Sequence, residues 1–206
     1  MDRAPEDRRP PEDPPHAGRS RARPRLAVLG VLLVVAAPTA GWPLIDGVLG
    51  DRERVAAGTV LELGPDDEVA VLRVTGRGWA LSKSSSDPAM AYALSRDGVD
   101  LAARYVPLTG AADPAALWSG LRKVQSVADS GSRLGAGRRI AGARGAIGRS
   151  GSLTGGGRAG TATVWLPPGR GYAVEIVVLA RPGASPGAVA DATAMARGLT
   201  FPRGAS

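Results

Sequence analysis

GTATVWLPPGRGYAVEIVVLA, residues 160–180, decides the fold. Tyr172, Val174, Ile176 and Val178 alternate with Ala173, Glu175 and Val177. A period of two sends successive side chains to opposite faces of a sheet. GTATVWL (160–166) supplies a second strand, and PPGRG (167–171) joins the two as a turn.

The same grammar recurs upstream. TVLEL (59–63) and EVAVLRV (68–74) read as strands joined by GPDD (64–67), and GWALS (78–82) as another. MAYALS (90–95) and VDLAARYV (99–106) flank RDG (96–98), a hairpin signal in which Gly98 supplies the positive φ. Val99, Leu101, Ala103 and Tyr105 share one face of their strand. The period then changes. Asp113 followed by Pro114 is an N-cap with proline at the first helical position. Leu117, Trp118, Leu121, Val124 and Val127 recur at helical spacing, and Ser130-Gly131 closes the helix. RRIAG (138–142) and a glycine-rich stretch to Ser152 follow. Ser185-Pro186 opens a second helix with Val189, Ala192, Met195 and Ala196 on one face. Gly198 ends it, and Leu199 and Phe201 return to the core.

These segments predict an α+β domain over residues 58–203, an antiparallel sheet of about six to seven strands flanked by two helices. Their order resembles the PsbP/Mog1-like exported domains over residues 58–201, on Gly78-Trp79, Asp87-Pro88, Tyr92, Leu117-Trp118 and Leu199-Thr200-Phe201. More closely, the chain resembles single-pass membrane-anchored proteins of high-GC Gram-positive bacteria. The resemblance implies a binding or assembly role and offers no shared catalytic residues. Lipoprotein members carry an N-terminal cysteine, and this chain has none. The departure makes a membrane helix the substitute anchor.

Residues 1–25 are rich in proline and charge and nearly free of apolar side chains, so they read as a disordered cytoplasmic tail. Leu26 to Ile45 has 20 residues and no charge, enough to cross a hydrocarbon core of roughly 30 Å. Arg19, Arg21, Arg23 and Arg25 directly precede it and orient the N-terminus to the cytoplasm. A signal-peptide core is the rival reading of 26–45, with the apolar stretch Leu26–Ala37 at a signal-like length. Pro38 is unfavourable at both obvious cleavage sites, which favours a transmembrane helix. Residues 46–57 read as a linker, and the domain beyond as extracytoplasmic at the cell membrane.

The net charge is +7, carried almost wholly by arginine, since Lys83 and Lys123 are the only lysines. With 29 Gly and 17 Pro, part of that excess reflects codon bias. The most informative patch runs between Asp129 and Glu175. It holds Arg133, Arg138, Arg139, Arg144, Arg149, Arg158 and Arg170, and no acid. Guanidinium groups bind phosphates and carboxylates bidentately, so these seven form a candidate polyanion-binding set for anionic lipid or wall polymer. Trp165 is the patch's only tryptophan for base stacking, and the compartment is wrong, so no nucleic acid is expected.

Catalytic chemistry is poorly supplied. His16, in the tail, is the only histidine, and there is no cysteine. Triads, thiolate nucleophiles and histidine zinc sites are thereby excluded from the domain. Ser82-Lys83-Ser84 suggests a Ser–Lys dyad, but neighbouring strand residues point apart, and a solvated loop fits better. Asp66, Asp67 and Glu68 lack the alternation of a calcium loop. Glu175 reads as solvent-facing or paired with an arginine. GAGRRIAG (135–142) and GSLTGGGRAG (151–160) precede no helix and are not phosphate loops. No catalytic residue, metal or cofactor is expected. The function expected is a non-enzymatic extracytoplasmic binding or assembly module. A carrier of a small apolar ligand between sheet and helices is the alternative, and a hydrolase a weaker one.

Overall fold

The computed structural model describes residues 51–202 apart from 67, 110–112, 129–130 and 170. The tail, the apolar run 26–45 and the first residues of the linker lie outside them. No helix among the described residues is long and apolar enough to cross a membrane.

The hairpin at 160–180 is the centre of the molecule. β10 (Arg158–Leu166) and β11 (Tyr172–Ala180) pair antiparallel. β6 (Val99–Pro107) flanks β11 on its other side, and β9 (Ile147–Gly155) flanks β10. Beyond β6 come β5 (Ala91–Arg96), β4 (Trp79–Ser82) and β1 (Arg52–Val55). Beyond β9, two short strands lie in series along one edge, β7 (Arg133–Leu134) and β8 (Arg138–Ala141). These nine strands make one antiparallel sheet, and β2 (Val60–Leu63) and β3 (Ala70–Arg73) form a separate two-stranded sheet. The expected α+β class and two helices, α1 (Pro114–Ala128) and α2 (Pro186–Arg197), are present.

Two expectations change. Among the described residues the large sheet has nine strands where six to seven were expected, and β1 falls inside the segment read as linker. β1 reads RERV, too charged to look like a strand. It survives because it is an edge strand, where charged side chains can point to water and discourage further pairing. RRIAG and the glycine-rich stretch after it form β8, a 3-10 turn at Ala143–Gly145 and β9. A Cβ on Gly148 would lie 2.8 Å from the Trp165 ring, and one on Gly151 would lie 2.8 Å from the Trp118 ring. Glycine here seats two indoles against the sheet, a close approach that any side chain would block.

Each face of the large sheet has its own core. On the first, Trp79, Leu94, Leu101, Trp165, Tyr172, Val174 and Ile176 pack beneath α2 and the β2–β3 hairpin. Trp165 Nε1 donates to Ala196 O at 2.9 Å, which fixes α2 beside β10. On the second, Val106, Leu153, Ala162, Val164, Leu166 and Ala173 pack with Leu117, Trp118 and Leu121 of α1. Both caps fall as the sequence implied. Asp113 Oδ2 accepts from Ala116 N at 3.2 Å. Ser185 occupies the N-cap of α2, but its side chain makes no capping bond, and Pro186 sets the first turn instead. Asp97 and Gly98 (φ 44° and 80°) form the two-residue hairpin turn that the RDG signal called for.

Candidate functional site

The arginine-rich segment is divided by the sheet. Arg138 pairs in register with Ser150 and Arg133 with Thr154, so both belong to the α2 face. Arg139 is opposite Arg149, on the α1 face. Arg133, Arg138 and Arg139 are exposed along the β7–β8 edge. Arg149 is half-buried and donates to Gly137 O at 2.9 Å. Arg158 is committed to Asp100 at 2.6 Å. Arg144, in a three-residue 3-10 turn (Ala143–Gly145), reaches Phe201 O at 3.5 Å. Arg170 lies outside the described residues. Of the seven, the structure therefore gathers three exposed guanidiniums on one edge and assigns three others to local structure. Trp165 is buried in the core and presents no ring to stack on.

A second group was only half legible. Arg139, Arg149, Val164, Glu175, Arg104 and Ala91 form one cross-strand row on the α1 face. Glu175 is not solvent-facing. It is 6% exposed, and its neighbours Val164, Ala173 and Val177 belong to the apolar cluster under α1. Among the described residues it accepts no hydrogen bond. Burial pushes its carboxyl up to about 7, while Arg104 directly opposite pulls the other way. Burial also holds the Arg104 guanidinium below its usual value, and Glu175 partly restores it. A carboxyl in apolar surroundings disfavours its charged form because water no longer solvates it. The cross-strand neighbours of Glu175 are Val164 and Arg104, so its facing partner is a cation and not a second carboxylate.

The remaining candidates resolve as structure. Lys83 Nζ bonds Glu53 of β1 at 3.1 Å, both well exposed, and Ser82 Oγ meets Ser84 Oγ rather than the lysine. A lysine base needs desolvation, and this one lies in water. In the acidic turn Asp67 is outside the described residues, and the Tyr105 hydroxyl donates to Glu68 Oε2. The described residues contain no cluster of metal-ligating side chains. Among the glycine-rich segments, Gly156 and Gly157 (φ 56° and 71°) make the turn between β9 and β10.

The molecule is thus defined as an antiparallel α+β domain with an arginine-bearing outer edge and a buried carboxyl beneath one helix. No protein-family model matches the chain, and no curated protein matches it in sequence. Among solved structures it is similar to the solution structure of cyanobacterial PsbP (CyanoP) from Synechocystis sp. PCC 6803. That match has 10% identity and TM-score 0.49, covering 76% of this chain and 96% of that one. It is also similar to the crystal structure of LpqN, involved in cell envelope biogenesis of Mycobacterium tuberculosis. There the identity is 19% and the TM-score 0.33, covering 72% of this chain and 90% of that one.

Proposed function

We propose that the chain is a non-enzymatic binding module held outside the cytoplasmic membrane by residues 26–45, and that it engages an anionic component of the cell envelope. The observation that carries this reading is the outer edge of the sheet. There Arg133, Arg138 and Arg139 stand exposed with no carboxylate partner among the described residues. Single-sign charge of this kind raises the local concentration of polyanions and binds them in a salt-dependent way.

The apolar-carrier alternative has less support. Among the described residues, Trp79, Trp165, Tyr172, Leu94, Leu101, Ile176, Met195 and Leu199 lie between sheet and α2, all nearly or fully buried. Large side chains close-packed in that layer favour a core over a ligand site there. The hydrolase alternative loses its dyad to the Lys83–Glu53 pair.

Two measurements on the full chain test the proposal. Protease added to intact cells degrades the domain if it is extracytoplasmic and spares it otherwise. Isolated envelope retains the chain at low ionic strength and releases it as salt rises. Protection from protease, or absence of retention, contradicts the reading.

A further inference from the structure

On the α2 face, the half of the sheet farthest from β6 carries hydroxyls at successive same-face positions. Ser150, Ser152 and Thr154 of β9 share this face with Thr161 and Thr163 of β10. Ser150 is directly opposite Thr163, and Ser152 opposite Thr161. α2 packs on β11, β6 and β3, and its contact with Trp165 brings it alongside β10. The hydroxyl field thus lies between α2 on one side and the β7–β8 edge on the other. Arg138 extends the Ser150–Thr163 row, and Arg133 begins the Thr154 row. Ser152, Thr154, Arg133 and Arg138 are exposed, Ser150 and Thr161 are half-buried, and Thr163 is buried beneath them.

We infer that this strip of the sheet is a docking surface for an extended phosphodiester polymer of the wall, its phosphates on Arg133 and Arg138 and its polyol links on the accessible hydroxyls of Ser150, Ser152, Thr154 and Thr161. The inference rests on the reading that the domain faces the envelope, and narrows it to one ligand chemistry and one face. Three observations favour that occupant. The first is charge: no acid occurs between Asp129 and Glu175, so β7 to β10 contribute only positive charge to this strip. Exposed guanidiniums next to hydroxyl donors suit phosphate oxygens. The second is hydrogen-bond direction. The Thr163 hydroxyl donates to Ser150 Oγ at 2.9 Å, which leaves the Ser150 proton to donate outward. The third is what the face lacks. The exposed large apolar residues of the domain are Val60 and Met90, which lie on β2 and just before β5. Insertion into a bilayer surface needs apolar or aromatic anchors, so a polymer is favoured over lipid. Rows spaced at strand distance, roughly 4.8 Å across and 6.7 Å along, suit a linear chain.

The test is binding of the full chain to poly(glycerol phosphate) across a salt series, beside phosphatidylglycerol vesicles and inorganic phosphate. Wild type should bind the polymer at least about tenfold more tightly than free phosphate, with affinity falling steeply in salt. Arg133→Gln with Arg138→Gln should weaken polymer binding about tenfold or more and flatten the salt slope by about 2. Ser152→Ala with Thr161→Val should weaken it severalfold with the slope unchanged. Polymer binding that survives both double substitutions, or that is lost only on Arg139→Gln, overturns the assignment to this strip while leaving an envelope-binding domain in place. Binding to vesicles but not to polymer overturns it in favour of a membrane surface. No binding to polymer, vesicles or isolated envelope removes the wider proposal as well.

Discussion

Glu175→Gln isolates the least comfortable group in the structure. The wild-type carboxyl lies among Val164, Ala173 and Val177, opposite Arg104, and its folded value is about 7 against an ordinary value of 4.5. Between those two pH values the folded chain holds a proton that the unfolded chain has released. The contribution of this group to stability therefore falls as pH rises from 4.5 to 7, and is level on either side. At about 1.4 kcal/mol per pH unit, the whole effect is about 3 kcal/mol. Glutamine mimics the neutral acid at every pH. The variant should match wild type near pH 4.5 and exceed it by about 3 kcal/mol at pH 8, or about 10 °C in Tm for a domain of this size. Urea unfolding at the two pH values reads this directly. Arg104→Met supplies the complement, because losing the opposing guanidinium should cost more at pH 8 than at pH 5. It should cost little in a chain that already carries Glu175→Gln. An advantage of Glu175→Gln that is equal at pH 5 and pH 8 would refute the reasoning, since it would show that ionisation is not what burial penalises.

Two other substitutions test the packing. Gly151→Ala places a methyl 2.8 Å from the Trp118 ring and 3.0 Å from Ala136 O. It should cost about 1–3 kcal/mol and alter tryptophan fluorescence. Gly120→Ala on α1 meets nothing within 4 Å and should stabilise by up to about 1 kcal/mol. Arg96 bonds Asp191 of α2 at 2.5 Å and lies 5.8 Å from the centre of the Trp79 ring. Arg96→Ala should cost about 1–3 kcal/mol by urea unfolding, and Asp191→Ala in addition should cost less than the two separate losses combined.

The parts of the fold that were legible carry a local signal. β6 alternates cleanly, β5, β10 and β11 are largely apolar runs between turn signals, and the Asp97-Gly98 turn and Asp113 cap are local chemistry that needs no distant partner. The strands that escaped notice are those whose identity depends on something remote. β1 is charged because it ends the sheet. β8 is flanked by glycine, and β9 contains it, because Trp118 and Trp165, distant in sequence, press against Gly137, Gly142, Gly148 and Gly151. A tryptophan and its glycine seat cannot be matched without the register. The same limit applied to the candidate sites. Seven arginines form one block in sequence, yet strand alternation sends Arg138 and Arg139 to opposite faces and Asp100 claims Arg158. Glu175 could be read as paired with an arginine, but its burial follows from α1 lying over its neighbours. The hydroxyl rows left a signal, S-x-S-x-T at 150–154 and T-x-T at 161–163. The second lay in a strand read as such, but the first sat in a glycine-rich stretch whose pairing with it the sequence does not show.

The central claim is that the outer edge of the sheet meets an anionic envelope component. Its most direct measurement is retention of the full chain on isolated envelope through a salt titration, with and without Arg133→Gln, Arg138→Gln and Arg139→Gln together. The account predicts that wild type is held at low ionic strength and released as salt screens the edge, and that the triple variant is not held at all. Retention that ignores both the salt and the three arginines would contradict it.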